Sequence, residues 1–402
     1  MSLRRRVAPG RPAWACALAW LLAALVGAVS LAVRPAAAQA AEAERVALDL
    51  AEQVIPLTVK ARNRFGREVE GTIPVTSFRP AGDGPFPLVI VNHGRGPLAQ
   101  RVAQGRSRFE VLARYFVSKG FAVLVPTRLG YSATAANGDP EDSGTCNAPR
   151  RDVTADAAAD QVLATLDLAR TLPWIDASRW VVLGQSVGGL TAVAVAARQP
   201  AGLIAAINFA GGSGGRPDSN PGDPCAPQML EKLWAEQGAN TLVPMLWIYW
   251  RNDRYWGEDH PRRWAEAWRR GGGSLEFHQL EPVGNDGHGG LNADMDRWVP
   301  LVEAYLARAG FTRGGVIARP APSGHAALDD LGRLPLGDNG RAAYRTRYLG
   351  GPGPRAFAIG TDGSFGWARG DWAMGRALGF CQARRGVTCK LYAVDDDVVW
   401  AP

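Results

Sequence analysis

The chain reads as an α/β protein: a mainly parallel sheet with helices on both faces, followed by a small α+β module. Three observations predict this. Short apolar or β-branched runs recur between residues 86 and 280. The segments between them carry apolar stripes at helical spacing. At residues 181–198 a strand-like run, a glycine-flanked serine and a helix-compatible run follow one another directly.

Taken in order, residues 41–78 alternate apolar and polar positions (Ile55, Leu57, Val59, then Val69, Ile73, Val75), which predicts antiparallel strands. Residues 86–92 form a buried strand. Residues 108–119 place Val111, Leu112, Tyr115 and Phe116 on one helical face, and 122–126 form another buried strand. Residues 152–170 predict a helix, with Val162, Leu166 and Ala169 on one stripe and no internal Gly or Pro. Strands are expected at 180–183, 203–209, 243–250 and 274–280, with a helix at 262–270. Residues 310–354 are rich in Gly, Pro and Arg and read as a linker region. The tail regains apolar runs: 356–360, a helix at 373–380 and a strand at 390–394. The expected organisation is therefore a leader at 1–40, an α/β domain at 41–309, a linker at 310–354 and a module at 355–402. No repeat of 20 to 50 residues appears.

The net charge is +7, but Arg4, Arg5, Arg6, Arg11 and Arg34 stand in a 40-residue leader without acids, so the rest carries about +2. No basic cluster with interleaved aromatics follows, and nucleic-acid binding is unsupported. The leader has early arginines, an apolar stretch at 13–33 and Ala38-Gln39-Ala40, the pattern of a secretory signal. An uncleaved N-terminal anchor is the competing reading, because the stretch is long enough to span a bilayer. The arginine run is a weak twin-arginine match, and Cys16 lies inside the apolar stretch, which disfavours a lipoprotein. The other cysteines, Cys146, Cys225, Cys381 and Cys389, are even in number, as an oxidising compartment favours. Three pairings are open. Closeness in sequence favours Cys381 with Cys389, leaving Cys146 with Cys225; free buried thiols are the bland alternative.

Gly184-Gln185-Ser186-Val187-Gly188 is the most informative stretch. A serine on a sharp strand-to-helix turn is pushed out of the sheet, where a base can take its proton. The pattern alone is weak in a chain with 48 glycines, and Gly211-Gly212-Ser213-Gly214-Gly215 matches it too. After Ser213 comes Arg-Pro-Asp-Ser-Asn-Pro, which is turn chemistry, so Ser213 reads as loop and Ser186 as nucleophile. Among five histidines, His288 sits in a glycine-rich loop just after the strand at 274–280, where it can swing toward the serine. His278 lies within that strand, His260 in a turn before Pro261 and His325 in the linker. Asp253 ends the strand at 243–250 and is the expected acid; Asp259 and Asp286 are its rivals. The Val187 amide and the Arg95 amide, with Gly96 as rival, are expected to hold the oxyanion. His93 then serves as scaffold for the loop at 92–97. No His/Cys/Asp cluster has ligand spacing, so no metal or cofactor is implied.

Together, Asn92-His93-Gly94, Arg128-Leu129-Gly130-Tyr131-Ser132, Ile175-Asp176, the Ser186 turn, Asn252-Asp253-Arg254-Tyr255 and Asp286-Gly287-His288 resemble bacterial α/β-hydrolases of the dienelactone-hydrolase-like group. The resemblance spans roughly residues 50–308. It implies the α/β-hydrolase fold and a Ser186–Asp253–His288 triad. A serine stands where true dienelactone hydrolases carry cysteine, so dienelactone is not implied as substrate. The tail is similar to small two-cysteine modules appended to exported bacterial proteins.

The loops at 128–151 and 211–228 each follow a strand at the ligand-binding end of the sheet. A Cys146–Cys225 bridge would join them as a rim over Ser186; two ordinary surface loops are the alternative. The expectation is an exported serine esterase acting on a small-molecule ester, with no stable membrane span once the signal is cleaved. A peptidase using the same triad, or a non-catalytic binding protein on a hydrolase scaffold, are the alternatives.

Overall fold

Residues 86–92 show why the sheet is buried on both sides. In the computed structural model Leu88 and Ile90 enter one apolar core while Val89 and Val91 enter the other. Trp180 and Val182 alternate with Val181 and Leu183 in the same way, the two-residue period of a strand covered on both faces. The structure describes residues 47, 50–311, 319–370, 373–383 and 387–401. The expected signal segment at 1–40, and Cys16 with it, lies outside them.

In chain order the elements are β1 (Gln53–Arg62), β2 (Glu68–Phe78), β3 (Phe86–Asn92), α1 (Leu98–Ala103), α2 (Glu110–Ser118), β4 (Ala122–Pro126), α3 (Arg151–Arg170), β5 (Ile175–Gln185), α4 (Val187–Ala197) and β6 (Leu203–Phe209). There follow α5 (Pro227–Ala239), β7 (Met245–Trp250), α6 (Asp259–Arg270), β8 (Leu275–Leu280) and α7 (Met295–Arg308). The large sheet has the order β1-β2-β4-β3-β5-β6-β7-β8. β1, β2 and β4 pair antiparallel, and β3 to β8 run parallel with β4. Residues of α3, α4, α5 and α6 fill one core, and those of α2 and α7 fill the other. This is the α/β-hydrolase architecture.

The helices α5 and α7 were not expected from the sequence. α5 buries only Leu230, Trp234 and Gly238, too thin a stripe to stand out. α7 carries Pro300 inside it, a residue that ordinarily argues against a helix. His260 lies in the first turn of α6 rather than in a turn before it.

The C-terminal elements are α8 (Asp338–Ala343), β9 (Arg355–Gly360), β10 (Phe365–Arg369), α9 (Ala373–Ala383), β11 (Cys389–Val394) and β12 (Asp397–Val398). They build a separate antiparallel sheet of order β10-β9-β11-β12. Leu334, Leu336, Tyr344 and Tyr348, from the stretch that composition marks as linker, are buried here with Phe357, Ile359 and Tyr392. Cys381 and Cys389 are bridged across a Cα separation of 6.2 Å, which ties α9 to β11. Both sheets fall within one compact unit.

Candidate active site

Ser186 is the single residue between β5 and α4. Its φ of 59° and ψ of −125° lie where an L-residue pays about 1–3 kcal/mol. The surroundings hold it there. Its amide donates to the Phe209 carbonyl at 3.0 Å, and its carbonyl accepts from the Leu190 and Gly212 amides, both at 3.1 Å. The flanking glycines allow close backbone approach. A Cβ on Gly184 would lie 2.2 Å from the Gly188 carbonyl oxygen, and one on Gly188 would lie 2.1 Å from that of Asn92. Ser213, the other pattern match, lies in the loop after β6. Its hydroxyl accepts from Arg151 Nη1 at 3.1 Å.

Asp253 follows the end of β7 and is buried, with 2% exposure. The tight turn after it aims two amides back at one carboxylate oxygen: Tyr255 N and Trp256 N reach Oδ1 at 2.8 and 3.2 Å. The other oxygen, Oδ2, lies 2.9 Å from Nδ1 of His288. Against a carboxylate acceptor Nδ1 is the donor, which leaves Nε2 as the ring nitrogen that Asp253 does not engage. The His288 ring is stacked on Tyr255, with centroids 3.8 Å apart, and meets Trp256 edge-on at 5.5 Å.

The backbone of the His288 loop is anchored separately. Asp286 Oδ1 accepts from the His288 amide at 2.9 Å and from the Arg254 amide at 3.0 Å. Asp286, a rival for the acid, thus splices the two loops together. Asp259, the other rival, opens α6 and is exposed. Gln185 Nε2 donates to the His288 carbonyl at 2.5 Å. Neither Gln185 nor Tyr255 was singled out from the sequence as shaping the site. The position of Gln185 beside the serine was the available signal.

The loop after β3 brings Gly94 against the serine: a Cβ there would lie 3.1 Å from Ser186 Cβ. His93 Nε2 accepts the Arg128 amide at 3.0 Å, so its proton is on Nδ1, which donates to the Gly94 carbonyl at 2.8 Å. Burial, together with the Arg128 charge, pushes its pKa well below 6.5. Arg128 and Glu141 form an ion pair with both side chains fully buried, and Arg128 Nη2 also donates to the His93 carbonyl at 2.9 Å. The Arg95 side chain binds Asp139 across to the loop after β4. Arg95 and Gly96 both line the cavities that contain Ser186. Val187 is the first residue of α4, where amides lack an intrahelical acceptor.

Two cavities share Ser186, Arg95, Gly96, Gln100 and Tyr255. One, of about 640 Å³, adds Val187, Trp256, Arg151, Ser213, Cys146 and Cys225 to its wall. Cys146 and Cys225 are bridged there, with a Cα separation of 5.4 Å, joining the loops after β4 and β6. Arg151 braces the same loops: it donates to Ser143 Oγ at 2.9 Å and to the Cys225 carbonyl at 2.9 Å. Its burial pulls its pKa down to about 10. The other cavity, of about 740 Å³, contains His288 and Asn292 and is walled by Phe109, Val111 and Phe380.

The fold is that of the α/β-hydrolases. The dienelactone hydrolase family model matches residues 78–278, and the chain belongs to that family. The match includes Ser186 and Asp253 and ends before His288. Among solved structures, a Klebsiella pneumoniae protein that carries the dienelactone hydrolase name is 19% identical with a TM-score of 0.42, over 64% of this chain and 99% of that one. Thermogutta terrifontis esterase 2 is 15% identical with a TM-score of 0.41, over 66% and 96%. Pyrococcus horikoshii acylaminoacyl peptidase is 13% identical with a TM-score of 0.42, over 66% of this chain but only 43% of that one. A comparison with curated proteins finds no match.

Proposed function

We propose that the chain is an exported serine hydrolase that cleaves a carboxylic ester. Ser186 Oγ attacks the ester carbonyl while His288 Nε2 takes its proton. Asp253 holds the Nδ1 proton and stabilises the imidazolium. The Val187 and Arg95 amides take the negative charge that develops on the carbonyl oxygen. The C–O bond to the alcohol then breaks, and the alcohol leaves with the proton from His288. Water, activated by the same histidine, releases the acid and restores Ser186.

The observation that carries this reading is the 2.9 Å Asp253–His288 hydrogen bond beside a cavity that contains both His288 and Ser186. The strained turn at Ser186 supports it, because a non-glycine residue at positive φ is kept only where the surroundings enforce it. Export is supported by the leader pattern and by the two bridges. Among the described residues no helix is long and apolar enough to cross a membrane.

A fluorophosphonate probe tests the nucleophile. Wild type is expected to label, and Ser186→Ala to lose both the label and turnover of nitrophenyl esters. An unlabelled wild type, or labelling abolished by Ser213→Ala instead, overturns the reading.

A further inference from the structure

The two cavities meet at Ser186 but differ in which end of the reaction they face. His288 lines only the one walled by Phe109, Val111 and Phe380. Val187, which begins the helix after the serine, lines only the other. In ester cleavage the imidazolium must hand its proton to the departing alcohol oxygen, so the alcohol half lies on the histidine's side. The acyl half then extends along the wall that holds the Cys146–Cys225 bridge.

We infer that the C-terminal module forms the leaving-group wall of the active site, with Phe380 of α9 and Phe109 and Val111 at the start of α2 receiving a bulky apolar alcohol. This rests on the serine-hydrolase reading above and adds to it the chemical class of the leaving group.

The wall is built rather than incidental. Phe109 sits at φ 48° and ψ 44°, a left-handed conformation that a bulky residue adopts only under constraint. α9 approaches α2 so closely that a Cβ on Gly379, the residue before Phe380, would lie 2.6 Å from Val111 Cγ2. At the other side of Phe380, Cys381 is fully buried and bridged to Cys389. One residue further, Gln382 accepts from the Arg114 guanidinium, both side chains being buried. Arg114 also lies 3.7 Å from Glu110, one turn away on α2 itself, so the guanidinium that Gln382 meets is held in place by its own helix. Phe109, Val111 and Phe380 themselves stay only partly buried, leaving apolar surface toward the cavity.

The test uses the full-length protein and two ester series. One holds the acyl group as acetyl and varies the alcohol from methyl to naphthyl; the other holds nitrophenol and lengthens the acyl chain. Phe380→Ala is expected to lower kcat/KM for the naphthyl ester, relative to the methyl ester, by about 5-fold or more. Phe380→Leu should lose less. The acyl series should keep its ratios, and single-turnover deacylation should keep its rate, since the alcohol has already left. Equal fluorophosphonate labelling shows that each variant keeps the site; should Phe380→Ala fail to label, the same ratios are read from Phe380→Leu. An unchanged alcohol ratio, or a shift in the acyl series instead, overturns the inference while leaving the hydrolase reading intact. A wild type that neither labels nor cleaves any ester removes the hydrolase reading itself.

Discussion

Gln185 Nε2 donates to the backbone carbonyl of His288 at 2.5 Å. The residue that precedes Ser186 therefore holds the loop of His288, across 103 residues of chain. The strand that presents Ser186 also sets where His288 starts from, so the two are positioned by one element.

Gln185→Leu keeps the size of this side chain and removes the donor. A base displaced by a fraction of an ångström costs turnover more than binding. We expect kcat to fall about 10-fold with KM nearly unchanged, read from steady-state kinetics on a short nitrophenyl ester. A KM-only effect would place Gln185 in substrate binding instead.

Asp253→Asn replaces the acceptor of the Nδ1 proton with a group that can donate. The wrong tautomer of His288 is then favoured, with Nε2 protonated and unable to act as base. The expected loss in kcat is about 10⁴-fold, with the melting temperature lowered by only a few degrees. Retained activity would direct the search for the acid to Asp286, whose Oδ1 already accepts the His288 amide.

His93 should make stability depend on pH. Its folded pKa lies well below 6.5 because burial disfavours the charged ring. Above the unfolded pKa neither state is protonated there and the residue contributes no slope. Below it the unfolded chain takes up a proton that the folded chain refuses, so stability falls by up to about 1.4 kcal/mol per pH unit. Urea unfolding from about pH 7 to about pH 5 should show this slope, and His93→Gln should flatten it.

The two bridges should differ in weight. Cys146–Cys225 spans 79 residues and Cys381–Cys389 spans 8. Loop-closure entropy assigns about 4–5 kcal/mol to the first and about 2–3 kcal/mol to the second. The Cys146→Ser/Cys225→Ser double variant should therefore lose more unfolding free energy. Because that bridge lines the Val187 cavity, the variant should also discriminate less among acyl chains. Its kcat on an acetate ester should stay within about 3-fold of wild type.

Gly188→Ala places a methyl group where 2.1 Å separates it from the Asn92 carbonyl oxygen. Backbone cannot yield as a side-chain tip can, so β3 and α4 must part. The expected outcome is insoluble protein or a loss of several kcal/mol, measured by urea unfolding.

The parallel core was legible because its strands are buried on both faces and read as unbroken apolar runs, as at 86–92 and 122–126. α5 and α7 escaped notice for opposite reasons: one buries a thin stripe, the other contains a proline that tertiary packing tolerates. Ser186, Asp253 and His288, the residues proposed for the triad, stand out in the sequence because each closes or follows a strand, in the order Ser, Asp, His. Gln185 and Tyr255 act through contacts with a residue distant in sequence, and local pattern carries no trace of that.

What the sequence by itself determined is which residues stand at the strand ends: a serine on a sharp turn, and an acid and an imidazole after later strands. Side-chain period and turn chemistry are local, and they survive in the one-dimensional record. Only the tertiary structure decided what surrounds them. It brought Asp253 within 2.9 Å of His288, closed the Cys146–Cys225 bridge beside Ser186 and laid α9 against α2 so that Phe380 reached the cleft. Those relations join residues far apart in the chain. They depend on how layers pack, on close approach at positions such as Gly379, and on buried polar contacts such as Arg114 with Gln382.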